Sequence, residues 1–181
     1  MDLIGEAATV PCWDPDYALA YAGLADSYIL LENNGVLAAD DANPKIKAAA
    51  MRAVEADGSL ADGHMVLGSV RENEWDWARA EQEYKRALEL SPGLARAHHW
   101  YALLLTALHR PDEAISEIAR AIDLEPGTDD LYLVESQIYY GGRRYEDAQR
   151  SLHMLVGTEK DSRAYLSRQE NVSRCDFRAP D

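Results

Sequence analysis

The side chains that could do chemistry are few and poorly grouped. Five histidines are present: His64, His98, His99, His109 and His153. His98 and His99 are adjacent, and helix neighbours project about 100° apart, so the two do not converge on one ion. Carboxylates are abundant, but regularly spaced ones such as Glu81 and Glu83 read as solvated helix faces, not as an acid–base pair. Cys12 and Cys175 stand near opposite ends, with neither metal-ligand spacing nor a disulfide framework. No HExxH, paired CxxC, phosphate-binding glycine loop or GxSxG occurs. Trp75-Asp76-Trp77 is aromatic enough for a binding platform. The expectation is no catalytic residue, no metal ligand and no cofactor, hence no enzyme.

Composition narrows the partners. The 181 residues carry 32 acidic and 18 basic side chains, a formal charge of −14. Nucleic acid and anionic membranes call for a basic footprint, so neither is an expected partner. No apolar run approaches the ~20 residues of a membrane span. The first residues lack a basic region followed by an apolar stretch, so no secretory signal is read there. The expected location is the cytoplasm.

Helices must position whatever surface does the work. From Ala61 to Leu94 two helical patterns stand back to back. In the second, Ala80, Tyr84, Ala87 and Leu88 recur at spacings of three and four, which gathers them near one face. Ser91-Pro92-Gly93 stops that helix, since proline lacks a donor and biases its predecessor away from helix. Ala95 to Thr128 repeats the pattern over the same 34 residues. Numbering places from Ala61 and from Ala95, Gly68 and Ala102 share the eighth, Ala80 and Ala114 the twentieth, Ala87 and Ala121 the twenty-seventh, Pro92 and Pro126 the thirty-second. Small residues at such places let helix axes approach closely.

This 34-residue period resembles the tetratricopeptide family. The resemblance covers about Asp14 to Val156. It implies an all-α, right-handed superhelical solenoid of antiparallel helix pairs, with about four repeats. In that family the first helices line a concave groove through places two, five, nine and twelve. Carried over, these are Leu19, Ala22, Asp26 and Ile29, then Asp62, Met65, Ser69 and Glu72. Repeats three and four supply Arg96, His99, Leu103 and Thr106, then Asp130, Leu133, Gln137 and Tyr140. The expected partner-contacting residues are Asp26, Met65, Ser69, Glu72, Arg96, His99, Leu103, Leu133, Gln137 and Tyr140. One subgroup grips the C-terminal carboxylate of heat-shock chaperones with lysines, asparagines and an arginine at places five and nine. Those residues are missing here, so that activity is not carried over. His64 and His98 fall at place four and Trp77 at place seventeen, both packing places, which leaves Trp75 the more exposed tryptophan.

The implied function is a protein-interaction scaffold that binds a peptide segment or helix of a partner without catalysis. The groove, mixed apolar and weakly acidic, suits such a segment with apolar anchors. The local phrasing also resembles the tetratricopeptide arrays of bacterial winged-helix or Ser/Thr-kinase regulators. The alternative is therefore the sensory or regulatory portion of such a regulator, separated from its output domain.

The array divides into an irregular segment over residues 1–15, a repeat domain over 16–162 and a capping helix with loose tail over 163–181. Repeats run 18–60, 61–94, 95–128 and 129–162. The first helix of repeat one is expected over Asp16 to Leu31. Repeat one is nine residues longer than the others, and the insertion is expected in the turn between its helices, with Asn43 capping the second helix and Pro44 opening it. Gly141-Gly142 ends the first helix of repeat four. Trp13, Tyr17, Tyr21 and Tyr28 cluster at the N-terminal end. Either a second copy covers that patch, giving a homodimer, or residues 1–13 fold back over it.

Overall fold

The computed structural model describes residues 17–158. Among them are eight helices and no strand: α1 (Ala18–Asn33), α2 (Ala39–Ala56), α3 (Ala61–Asn73), α4 (Trp77–Leu90), α5 (Ala95–Ala107), α6 (Pro111–Leu124), α7 (Asp129–Gly141) and α8 (Tyr145–Thr158). Consecutive helices pack antiparallel into pairs, and each pair stacks on the next to form a solenoid. The odd-numbered first helices also touch one another. This contact is most extensive between α1 and α3 and thins towards α7.

Small residues set the helix spacing. Ala25, Ala53, Ala80, Ala87, Ala102, Ala114 and Ala121 have no exposed surface. The closest approach is at Gly68 in α3. A Cβ built there would lie 2.7 Å from Cε1 of the Tyr84 ring and 2.9 Å from its Cδ1. The neighbouring repeat solves the same space differently, with Ala102 at the small place and the slimmer Ile118 at the large one. Both solutions fill the gap between first and second helix, which close packing demands.

Each first helix ends in the same hydrogen-bonded turn. After α3, Asp76 N–H donates to Arg71 C=O at 2.9 Å and Trp75 N–H to Glu72 C=O at 2.8 Å. This pair of hydrogen bonds around a left-handed residue is the Schellman closure. Trp75, His109 and Arg143 all have φ near +60°, and only repeat one uses a glycine there, Gly35. In repeat four the left-handed residue is thus Arg143, two places beyond Gly141. The glycine pair does not supply it.

Repeat one departs from the expected layout. α1 runs to Asn33 rather than Leu31. The nine extra residues do not form a protruding loop. α1 has 16 residues against 13 in α3, and α2 has 18 against 14 in α4, leaving only two for the turn. Both helices gain about one turn because Ala, Leu and Asp in this stretch suit a helix and its first turn. α2 begins at Ala39, so Asn43 is not its cap and Pro44 lies inside it. Asn43 instead accepts a 3.0 Å hydrogen bond from Asn73, and Lys47 pairs with Glu74, tying α2 to α3.

The histidines at place four pack as expected, and Glu83, read from the sequence as part of a solvated face, partners one of them. His64 meets Glu83 Oε2 at 2.7 Å and the Gly58 carbonyl at 3.0 Å. His98 repeats this with Glu117 at 2.6 Å and Pro92 at 3.1 Å. In repeat four Tyr132 donates to the Pro126 carbonyl at 3.1 Å. Place four thus latches each closing loop to the helix that follows it. Glu81 is not a solvated carboxylate either. Its Oε1 accepts from Lys85 at 2.8 Å, Arg110 at 2.9 Å and Tyr101 at 3.0 Å, joining repeats two and three. Lys85 foremost, then Arg110 and Tyr101, hold its carboxyl down at about 2, against the ordinary 4.5.

Candidate functional site

The first helices bring places two, five, nine and twelve towards one side, but they do not expose them equally. Where α1, α3 and α5 crowd together, the floor is sealed. Met65 has no exposed surface and Ala22 has 1%. Met65 is therefore a core residue and no longer a contact candidate: three adjacent first helices close over it. Ser69 is half-buried and turns its hydroxyl back to the Val66 carbonyl at 2.9 Å. Glu72 is half-buried and hydrogen-bonded to Tyr84; burial raises its carboxyl above the usual range, and the tyrosine only partly offsets this.

Across this sealed half runs an ion pair that sequence reasoning did not find. The Arg96 guanidinium of α5 donates to Asp26 of α1 at 2.6 Å, passing over repeat two. The same guanidinium lies 5.4 Å from the centre of the Trp100 ring. The partners are 70 residues apart, and no local spacing signals such a pair.

The half formed by α5 and α7 is open. Leu103 is 40% exposed and Tyr140 45% exposed. Gln137 is exposed and Leu133 half-buried. Tyr140 packs edge-on to Tyr145, with ring centres 5.5 Å apart. His99 sits between the sealed and open halves. Its Nε2 is buried and has no hydrogen-bond partner. Burial pushes its imidazole below the ordinary value, Asp130 acts against this, and Arg96 adds to it. A buried ring nitrogen without a partner costs free energy unless something supplies one. The open half therefore offers two aliphatic side chains, an aromatic rim and a side-chain amide, with the unsatisfied imidazole nitrogen buried beside them.

Two features lie outside the groove. Trp75 is 76% exposed and meets Trp77 edge-on at 5.3 Å, while Trp77 packs against the core. A cleft of about 380 Å³ separates α2 from α3, walled by Asp40, Pro44, Val70 and Glu74. At the N-terminal end Tyr17 is 54% exposed, but Tyr21 lies under Arg52 at 5.6 Å and Tyr28 under Lys45 at 5.5 Å. Trp13, Cys12, Cys175, residues 1–13 and the expected capping helix lie outside the described residues. Among those described, no three His, Cys, Asp or Glu side chains are grouped to hold a metal ion, and no helix is long and apolar enough to cross a membrane.

No family model matches the chain, and no curated protein matches it. Solved structures do. TTC0263, a thermophilic TPR protein of Thermus thermophilus, is 18% identical with a TM-score of 0.74, over 94% of this chain and 87% of that one. YrrB, described as a TPR protein with an unusual peptide-binding site, is 22% identical with a TM-score of 0.61, over 87% of this chain and 76% of that one. The second TPR of Spaghetti (RPAP3), bound to the HSP90 peptide SRMEEVD, is 16% identical with a TM-score of 0.51, over 55% of this chain and 93% of that one. The fold is that of the tetratricopeptide solenoids.

Proposed function

We propose that this tetratricopeptide-type solenoid is a non-catalytic interaction module that takes a peptide segment of a protein partner on the open half of its concave face. The observation that carries this is the juxtaposition of exposed Leu103 and Gln137 with half-buried Leu133 on one concave surface. Aliphatic anchors supply affinity and the exposed Gln137 amide supplies orientation, the usual division in peptide grooves. Two structural neighbours are described by their peptide sites or bound peptides, which supports the same use here. Stacked helices hold the surface rigid, so little ordering cost falls on the protein when a segment binds.

The test is site-specific photo-crosslinking. Benzoylphenylalanine placed at Leu103 should capture a partner in source-cell extract, and Leu133→Glu in the same chain should abolish the adduct while helical content is retained. Benzoylphenylalanine at Trp75, on the turn edge, serves as the comparison. Adducts that form only from position 75, or that survive Leu133→Glu, would move the binding surface away from the groove.

A further inference from the structure

The concave face carries a charge pattern that peptide binding alone does not require. Among its described positions, Arg96 is the one residue with a permanent positive charge. That charge is spent inside the protein, because Asp26 accepts from the guanidinium at 2.6 Å and Trp100 lies against its other side. Burial pushes His99 towards its neutral form and disfavours the charge of Glu72, which the hydrogen bond from Tyr84 only partly restores. The other charged groups at the rim are carboxylates, Asp62 and Asp130, on a chain whose formal charge is −14. A cationic segment is attracted to such a surface and an anionic one is repelled.

The open half supplies the apolar part of the site through exposed Leu103 and half-buried Leu133. We infer that the groove selects a peptide segment with an apolar anchor flanked by lysine or arginine, and that Asp26 sets this preference by neutralising Arg96. The anchor rests on Leu103 and Leu133. This selectivity rests on the groove being the binding surface, which the closing experiment tests separately.

Three fluorescein-labelled peptides serve as probes: GSKKLFKKGS, GSEELFEEGS and the neutral GSQQLFQQGS. Their binding to the intact chain is followed by fluorescence polarisation at ~50 mM and ~500 mM salt, where screening differs several-fold. The basic probe should bind at least fivefold tighter than the acidic one at low salt, with the gap narrowing at high salt. Asp26→Asn frees the guanidinium and should shrink or reverse that ratio. Arg96→Gln frees the carboxylate and should widen it. Because the two changes act in opposite directions, a general loss of folding cannot imitate them, and circular dichroism of each variant checks this directly. Equal binding of acidic and basic probes, a ratio untouched by both variants, or no binding of any probe overturns the inference. Leu103→Ser separates the two levels. If it leaves all three affinities unchanged, the groove is not the binding surface. If it weakens all three while charge makes no difference, the groove stands and the selectivity falls.

Discussion

Gly68→Ala is the sharpest test of how the repeats are packed. The added Cβ would stand 2.7 Å from Cε1, 2.9 Å from Cδ1 and 2.9 Å from Cζ of Tyr84, all closer than real side chains approach. The ring cannot retreat easily. Tyr84 is 1% exposed, and its hydroxyl is engaged by Glu72. In a helix interior alanine is favoured over glycine by about 1 kcal/mol. Overpacking a filled core costs about 1–3 kcal/mol, and disturbing a buried hydrogen bond to a carboxyl adds about 1 kcal/mol or more. The net expectation is a loss of roughly 1–3 kcal/mol, against the sign that helix propensity gives. The chain itself suggests the control. Where repeat three has Ala102 it has Ile118 opposite, so Tyr84→Ile should make room for the methyl group. Tyr84→Ile will be costly by itself, since it empties a core site. In that background, however, Gly68→Ala should be neutral or stabilising. Urea unfolding of the four proteins of this cycle, followed by circular dichroism, gives the coupling, expected at about 1 kcal/mol or more. A Gly68→Ala protein at least as stable as the parent, or one penalised equally in both backgrounds, would refute this account of the small places.

Three other predictions follow from separate features. Glu81, held down at about 2, binds fewer protons folded than unfolded, so its contribution is complete above the ordinary carboxylate range and is lost as pH falls from about 4.5 through 2. The shift caps that contribution near ~3 kcal/mol; its solvent-exposed partner Lys85 reduces it to about 1 kcal/mol, so Glu81→Gln should flatten the acid limb of the stability–pH curve by that amount. Arg143→Gly places glycine at a left-handed turn position and should stabilise by about 0.5–1 kcal/mol in thermal or urea unfolding, whereas a loss would mean that the Arg143 side chain matters more than its φ. Tyr17 leaves aromatic surface uncovered at the N-terminal end, while Arg52 and Lys45 already shield Tyr21 and Tyr28. Light scattering should show concentration-dependent dimerisation that Tyr17→Ser weakens; a mass that stays monomeric throughout would dismiss association through this face.

The sequence by itself determined the period, the helix pairs and most of the buried small residues. Ala80, Ala87, Ala114 and Ala121 announce themselves because each must fit a crossing that recurs every 34 residues, and repetition in phase turns a weak local preference into a strong signal. It also placed His64, His98 and Trp77 among packing residues, because their places recur as well. What it could not reach is whatever depends on contacts between repeats. Met65 and Leu133 occupy the same place, yet one is sealed and the other half-open, because the first helices crowd together at α1 and α3 and spread towards α7. The Arg96–Asp26 pair joins residues two repeats apart, and the Glu81 junction draws on three elements. The insertion was legible as nine residues but not as two longer helices, because Pro44 reads locally as a helix start, while contacts with α3, through Asn73 and Glu74, hold the helix on both sides of it. Local propensity fixes which segments become helices; the curvature of the stack decides which side chains are left for a partner.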